Sequence, residues 1–523
     1  ALITSFRVIR ARSRPNALLN NWVTKMNSAK IGGMPQPPRG LPNTFYFSLV
    51  TVDPEAAHPL YRQIYQGIRA GIEDGRLPPH TKLPSTRDLA QIWDVSRNTL
   101  RNAFDQLIAE GYLEAIVGHG TFVVEQPVQS GTAVPPPPTA RKRPISQIGQ
   151  ALESLGTSIR QPQPPLVGFA VGSPGYDIFP YKLWNRVVNR CQRRNDHFLG
   201  SVNGLPRLRE AIASYLTSAR GLHCAPEQID IVPGSVMGMY IASLAFINPG
   251  DKVWLEEPGY INVSGIMQYR SAEIVPVPVD AEGMDVQQGI QQAPEARLAY
   301  VTPSHQYPLG VTMSLSRRQQ LLSWAAQQGA WILEDDYDSE FRYDGPPITA
   351  LQGLDSHQRV IYCGTFSKVM LPTLRLGYIV LPPDLIDVYT GVKLPLSIHC
   401  PSLAQEAMAE FMLEGHFVRH IRQMRREYQA RRDALVTAVS HHLAGAVTLG
   451  DVACGMHAVA YLADELDEDE IVQKAHAAGM AVLPLARDYF GQPRQKGLVL
   501  GFTDLPPEAI ETQIAKLATT IHL

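Results

Sequence analysis

The chain contains 523 residues, of which 45% are hydrophobic and 18% are charged, and its formal net charge is -2. This length exceeds what one hydrophobic core usually supports, so we expect at least two domains. A nearly neutral protein exerts little long-range attraction on nucleic acid, and any DNA contact must come from local placement of charge. The richest apolar run, 237–247, is shorter than the roughly 18 residues of a membrane span, so none is expected.

Five cysteines are scattered along the chain without a Cys-x-x-Cys pair. An odd, dispersed set argues against a disulfide framework and against a zinc site. We therefore expect free thiols, no bound metal and a reducing, cytoplasmic location.

Residues 1–44 carry arginines and lysines but no acidic side chain, and glycines and prolines follow. Such a composition resembles a transit peptide, but a run rich in Gly and Pro does not pack. The favoured interpretation is a flexible basic extension.

The pattern between residues 58 and 125 predicts three helices and a hairpin. Apolar residues recur at helical spacing after Tyr61, and Ser85 and Ser96 stand at N-cap positions of two further helices. Two strands, 112–116 and 121–124, are joined by a glycine-containing tip. This is the layout of a winged helix-turn-helix. A small three-helix domain with a solvated polar face would show the same apolar stripe along its third helix.

Four segments resemble the GntR-type DNA-binding domain at that family's spacings: PLYRQI at 59–64, LPSTRDLA at 83–90, VSRNT at 95–99 and GHGTFV at 118–123. The resemblance implies that residues 45–125 form this domain and bind a double-stranded DNA operator. The DNA contacts it implies are Arg87, Ser96, Arg97, Thr99 and Arg101, with His119 and Gly120 in the wing.

Residues 126–165 are expected to be a linker. They contain four consecutive prolines at 135–138 and a basic cluster at 141–143. Proline-rich segments are semi-rigid spacers, so this one separates the DNA-binding domain from the remainder of the chain.

Short apolar runs alternate with helical patterns from residue 166 onward, which predicts an α/β sheet with helices on both faces. A long polar helical pattern at 403–443 opens a smaller α+β lobe, at about 390–523. The predicted architecture is thus a winged helix-turn-helix followed by a two-lobed α/β domain.

A turn between two apolar runs, 360–363 and 376–381, brings two hydroxyls, a lysine and an arginine together. Thr365, Ser367 and Arg375 suit an anionic phosphate, whereas a partly desolvated Lys368 can attack an aldehyde carbon. A solvated loop explains the same residues when they are taken alone.

Other candidates follow strands upstream, where ligand groups gather in open α/β sheets. Gly234, Ser235 and Val236 precede a helix whose amides can hold phosphate. Tyr260 is placed to stack on a ring and Asp335 to pair with a pyridine nitrogen. Each residue also has a structural explanation, as core or helix cap.

The segments PSHQYPLG at 303–310 and EDDYDSEF at 334–341, with the lysine turn, resemble fold-type I pyridoxal-phosphate aminotransferases from residue 169 onward. Joined to a GntR-type domain, this is the architecture of MocR-type transcriptional regulators. The resemblance implies pyridoxal 5'-phosphate as cofactor, Lys368 as its aldimine lysine, and Tyr337 as a hydrogen-bond donor to its phenolic oxygen. It also implies a head-to-tail homodimer that senses an amino compound, or the cofactor itself, through aldimine exchange, rather than an enzyme.

The sequence departs from the family at several positions. Tyr307 replaces an asparagine, whose role Gln306 or His305 would have to take, and the tyrosine expected near residue 199 is missing. Asn262 stands where an arginine binds the effector's carboxylate in the γ-aminobutyrate-responsive regulators of this family, and the usual arginine before the Gly-Phe motif at 501–502 is missing, since Val499 and Leu500 precede it. Bidentate recognition of a carboxylate is therefore in doubt, and so is γ-aminobutyrate as effector. An active aminotransferase with a regulatory N-terminal domain, allowing half-transamination, and a cofactor-free scaffold remain alternatives.

Overall fold

A computed structural model of the protein describes residues 49–50, 52–54, 56, 58–125, 145–151, 153, 166–194, 201–396 and 399–521. The chain divides into two compact units, 1–144 and 145–523. The predicted basic extension and residue 199 lie outside the described residues. Of the predicted linker, only 145–151 and 153 are described. The predicted boundaries of the basic extension, the DNA-binding domain, the linker and the α/β domain stay predictions.

The N-terminal unit contains three helices and a small antiparallel sheet in its described part. The elements are α1 (Leu60–Glu73), β1 (Lys82–Leu83), α2 (Thr86–Ile92), α3 (Arg97–Ala109), β2 (Leu113–Ile116) and β3 (Gly120–Val123). The strand order is β1-β3-β2. The predicted winged-helix arrangement is confirmed, whereas β1 was not predicted because a two-residue strand carries no periodicity.

Two serines determine where the helices of this unit begin. The Ser85 Oγ accepts a hydrogen bond from the Asp88 amide at 3.2 Å, and the Ser96 Oγ accepts one from the Thr99 amide at 3.1 Å. Each bond satisfies an amide that has no partner within its own helix. The apolar stripe of α3, represented by Leu100, packs in the unit's core.

The larger unit is organised around its main sheet. The elements up to the end of that sheet are α4 (Gln147–Ala151), α5 (Tyr181–Gln192), α6 (Pro206–Arg220), β4 (Ile229–Val232), α7 (Ser235–Phe246), β5 (Lys252–Glu257), α8 (Ile261–Tyr269), β6 (Glu273–Asp280), β7 (Gly283–Met284), α9 (Val286–Gln292), β8 (Leu298–Val301), α10 (Leu315–Gln328), β9 (Trp331–Asp336), β10 (Val360–Thr365) and β11 (Gly377–Val380). The eight strands described have the order β4-β11-β10-β9-β8-β5-β6-β7. Strands β5, β6, β8, β9 and β10 pair in parallel, whereas β11 is antiparallel to both its neighbours.

Helices cover both faces of this sheet, as predicted. Leu333 packs in a core with helices α7 and α8, whereas its neighbour Ile332 packs in another core with α9 and α10. Successive side chains of a strand point to opposite faces, so the two cores lie on opposite sides of the sheet. Both β9 and β10 are buried along their whole length, which explains the apolar runs with which they begin.

The chain ends in a smaller α+β lobe. Its elements are α11 (Ile386–Lys393), α12 (Ser402–Leu413), α13 (His416–His442), β12 (Val447–Leu449), β13 (His457–Leu462), α14 (Glu468–Ala477), β14 (Leu483–Pro484), β15 (Gly497–Gly501) and α15 (Pro507–Ile521). The four strands are antiparallel in the order β12-β13-β15-β14. The prediction of one helix over 403–443 is wrong, because Gly415 adopts φ +72° and separates α12 from α13.

None of the helices in the described part of the chain is both long and apolar enough to cross a lipid bilayer.

Candidate functional site

A cavity of about 400 Å³ opens beside the carboxyl ends of β4, β9 and β10 in the larger unit. It lies where polar groups on loops converge in an open α/β sheet. All ten residues predicted for the cofactor site line it: Gly234, Ser235, Val236, Tyr260, Asp335, Tyr337, Thr365, Ser367, Lys368 and Arg375.

One end of the cavity is rich in hydrogen-bond donors. Gly234 precedes α7 with φ +93°, a backbone conformation that favours glycine, and the first helical amides follow it. A Cβ on Gly234 would lie 3.8 Å from the Arg375 guanidinium carbon. That guanidinium makes no hydrogen bond or ion pair within the described residues. Helix amides and an unpaired arginine make this end fit a phosphate group.

Lys368 lies in the wall and is half-buried. Its Nζ donates a hydrogen bond to the Gly172 carbonyl oxygen at 2.9 Å. Burial lowers the pKa of Lys368, and the charges of Asp338 and Asp335 act against that shift. A lowered pKa increases the fraction of neutral amine, which is the nucleophilic form.

Asp335, near the end of β9, is a buried carboxylate with one free oxygen. Its Oδ2 accepts a hydrogen bond from the Tyr300 hydroxyl at 2.9 Å, while Oδ1 has no partner among the described residues. Burial raises the pKa of this carboxyl to about 7. An unsatisfied buried carboxylate costs free energy, so Asp335 fits a ligand that presents an N–H or a positive charge.

Aromatic side chains form the remaining wall. The rings of Tyr260 and Tyr307 meet edge to face at 5.6 Å. Asn262 donates from Nδ2 to the Tyr260 hydroxyl oxygen at 2.6 Å. Tyr337 lies 3.0 Å from Nδ1 of His305, which is itself outside the lining.

Three other residues that line the cavity carry no signal in the local sequence. His457 and Arg487 reach it from the small lobe, and Tyr300 reaches it from β8. None lies in a motif. His457 and Arg487 contribute because the small lobe packs against the strand ends.

Neither Gln306 nor His305, the residues expected to replace the family's asparagine, lines the cavity. Gln306 is buried and donates to the Pro258 carbonyl oxygen at 2.9 Å, and His305 is bonded to Asp338. Tyr307 itself lines the cavity. Gln306 and His305 therefore support the wall from behind.

The predicted DNA contacts lie on the N-terminal unit. Arg97 and Arg101 are exposed at the start of α3, and His119 and Gly120 are exposed at the hairpin tip. Arg87 is exposed on α2. Ser96 and Thr99 make the helix cap, whose hydroxyls lie 2.8 Å apart.

Both units match known families. Residues 60–123 match the bacterial regulatory proteins of the gntR family, and residues 164–486 match the aminotransferases of class I and II. The multiple substrate aminotransferase from Thermococcus profundus superposes with a TM-score of 0.66 at 26% identity, covering 72% of this chain and 97% of that one. The fold and site thus define a regulator with an aminotransferase-like domain.

Full-length relatives have the same two parts. The probable rhizopine catabolism regulatory protein MocR of Rhizobium meliloti is 38% identical over 90% of this chain and 95% of its own length. The HTH-type pyridoxine biosynthesis transcriptional regulator PdxR of Corynebacterium glutamicum is 30% identical over 91% and 98%. The chain belongs to the MocR-type transcriptional regulators.

Proposed function

We propose that this regulator binds operator DNA through its N-terminal unit and senses an amino compound, or pyridoxal phosphate itself, through the cavity around Lys368. The observation that carries the proposal is the meeting of three features in one cavity. These are Lys368 with its lowered pKa, the buried Asp335 with one free carboxylate oxygen, and Arg375, whose guanidinium has no partner among the described residues and lies beside the start of α7. Together they fit the amine-reactive, ring-nitrogen and phosphate groups of pyridoxal phosphate.

Each wall residue has one task in this proposal. The α7 amides and Arg375 bind the phosphate, and Tyr260 covers the ring. Asp335 accepts a hydrogen bond from the ring nitrogen and keeps its proton in place. Bound pyridoxal phosphate supplies an electrophilic carbon that reacts reversibly with primary amines. Lys368, held by the Gly172 carbonyl, is the resident amine that an incoming effector displaces.

Sensing requires that the effector favour one conformation of the protein over another. Segments of both lobes meet beside the cavity. The Gly259 amide donates to the Asp488 carbonyl oxygen at 2.8 Å, and the Gly491 amide donates to Glu257 at 2.9 Å. An effector bound between these segments changes how firmly the lobes hold together.

The test is an absorbance titration of purified protein with pyridoxal phosphate, followed by titration with amines. We expect a near-visible band that one amine shifts without continued product formation. Steady formation of a keto acid would instead support the aminotransferase alternative. A protein that takes up no cofactor would contradict the proposal.

Arg97→Ala is expected to weaken DNA binding by about 10- to 100-fold, because it removes one charged contact at the start of the recognition helix. The measurement is a binding titration with a duplex that the wild-type protein selects from a random pool. Arg76→Ala is the control, since this exposed arginine lies outside α3. Its guanidinium pairs with the Asp74 carboxylate, 2.8 Å away. Equal affinities of the two variants would contradict this assignment.

Arg487 is expected to recognise an anionic group on the effector. It is exposed at the cavity wall, and it makes no hydrogen bond or ion pair among the described residues. Arg487→Gln should weaken the spectral response to γ-aminobutyrate roughly 10- to 100-fold, because a charge-assisted hydrogen bond is lost. The response to butylamine, which lacks the carboxylate, should not change.

Arg494→Gln is the matched control, because Arg494 lies on the same lobe outside this cavity. An equal weakening of the spectral response to both amines, or in both variants, would show that Arg487 does not bind the effector's anionic group.

We also infer a head-to-tail homodimer, as the family resemblance implies, which places two DNA-binding units on one operator. Sedimentation of the purified protein at two concentrations measures this state. A monomer at micromolar concentration would contradict it.

A further inference from the structure

A buried pair behind the cavity wall, His305 and Asp338, holds the hydroxyl group of Tyr337. His305 and Asp338 are 2% and 1% exposed. The His305 Nδ1 lies 3.0 Å from both carboxylate oxygens of Asp338 and 3.0 Å from the Tyr337 hydroxyl oxygen. Three oxygen atoms thus compete for one ring nitrogen.

The chemistry of the three groups decides which of them donates. An ionised carboxylate only accepts hydrogen bonds, so contact with both Asp338 oxygens places the proton on Nδ1 of His305. A protonated Nδ1 cannot accept from Tyr337. The phenol oxygen is then a second acceptor of the Nδ1 proton, and the phenol's own proton is left to point elsewhere.

The surroundings of His305 keep this arrangement in place. The other ring nitrogen, Nε2, is buried and has no partner among the described residues. A Cβ at Gly455 would collide with the His305 ring, so the ring is enclosed. The His457 ring lies 5.0 Å away, and its Nε2 is bonded to the Pro308 carbonyl oxygen.

We propose that His305 and Asp338 are positioning residues that make Tyr337 a hydrogen-bond donor into the cavity. The inference rests on the proposed function, because the acceptor in the cavity is the phenolic oxygen of pyridoxal phosphate. Burial raises the pKa of Tyr337 well above its ordinary value, so the proton stays on the phenol near neutral pH. The charged or titratable groups facing Tyr337 and Lys368 are Asp335, Asp338, Tyr307, Cys454, His305 and His457.

The test measures the pH midpoint at which the protein loaded with pyridoxal phosphate interconverts between its two near-visible absorbance bands. Donation to the phenolic oxygen stabilises its ionised form, which favours loss of the proton near Lys368. Tyr337→Phe should therefore raise the midpoint by about one pH unit. Asp338→Asn, which keeps the side chain's shape, lets the proton move to Nε2 of His305. Nδ1 then accepts the Tyr337 proton, and the midpoint should rise similarly.

The sign of the shift separates positioning from simple electrostatics. The Asp338 charge raises the pKa of Lys368, so loss of that charge alone would lower the midpoint. His305→Leu retains the charge and should also raise the midpoint, which keeps the test available if Asp338→Asn does not fold. In a Tyr337→Phe background, His305→Leu should not shift the midpoint further, and Asp338→Asn should no longer raise it.

A fall in the midpoint or no shift with Tyr337 present, or an undiminished rise in the Tyr337→Phe background, would overturn the inference while the cofactor band persists. A wild-type protein without a band would overturn the proposed function, and this inference with it.

Discussion

Lys368→Ala is expected to abolish covalent attachment of pyridoxal phosphate to the chain, together with the near-visible band that the attached cofactor gives before any amine is added. Lys368 is the only lysine among the described residues that line the cavity, so no other side-chain amine there can take its place. Arg375 and the α7 amides remain, and added pyridoxal phosphate should bind without attachment to the chain. The measurement is absorbance at saturating pyridoxal phosphate, with borohydride reduction and peptide mass analysis to locate any attached cofactor.

Lys252→Ala is the control for this substitution. Lys252 is at the surface, where its Nζ lies 2.8 Å from Glu295, and its loss should leave the band unchanged. DNA binding without added cofactor should be equal in the two variants, because the N-terminal unit is unaltered. Cofactor that borohydride fixes to another residue of Lys368→Ala would show that the reactive amine lies elsewhere.

Lys393→Met is expected to destabilise the larger unit by about 3–5 kcal/mol, because it leaves a buried charge without its partner. Lys393 and Asp230 have side chains that are 0% and 1% exposed, and their charged atoms lie 2.6 Å apart. The lysine also donates to the carbonyl oxygens of Val202 and Ile231. Chemical denaturation of wild type and variant, monitored by tryptophan fluorescence, measures the difference.

The double variant Asp230→Leu/Lys393→Met separates loss of the pair from loss of volume. It removes both charges, and replacement of a buried ion pair by apolar side chains is often neutral or stabilising. The double variant should therefore recover most of the lost stability. If it unfolds as readily as Lys393→Met alone, the isolated Asp230 charge is not the cause.

Local patterns were sufficient for most of the fold. Helices α2 and α3 begin where their capping serines predicted, and the buried strands β9 and β10 begin with the apolar runs that predicted them and extend two or three residues further. The pattern failed at 403–443, where Gly415 ends a continuous helical periodicity. Periodicity records which face of a helix is buried, and two packed helices in series show the same period as one.

The cavity lining was predictable to the extent that its residues follow strands. Gly234, Asp335 and Lys368 were found because the carboxyl ends of neighbouring strands meet at one edge of the sheet. Arg487 was not found, because it comes from a lobe whose docking leaves no mark in the local sequence. His305 and Gln306, the two alternatives named as substitutes for the family's asparagine, lie behind the wall rather than in it.

By itself the sequence determined two things about this protein: its two-part family architecture, and the ten residues, Lys368 among them, that line one cavity. Both depend on motifs whose spacing along the chain is itself the signal. Only the tertiary structure decided which buried charges pair, such as Asp230 with Lys393 across 163 positions, and that His305 contacts Asp338 behind the cavity wall. These contacts join segments that meet only after folding, and their energy depends on distance and burial, which the order of residues does not contain.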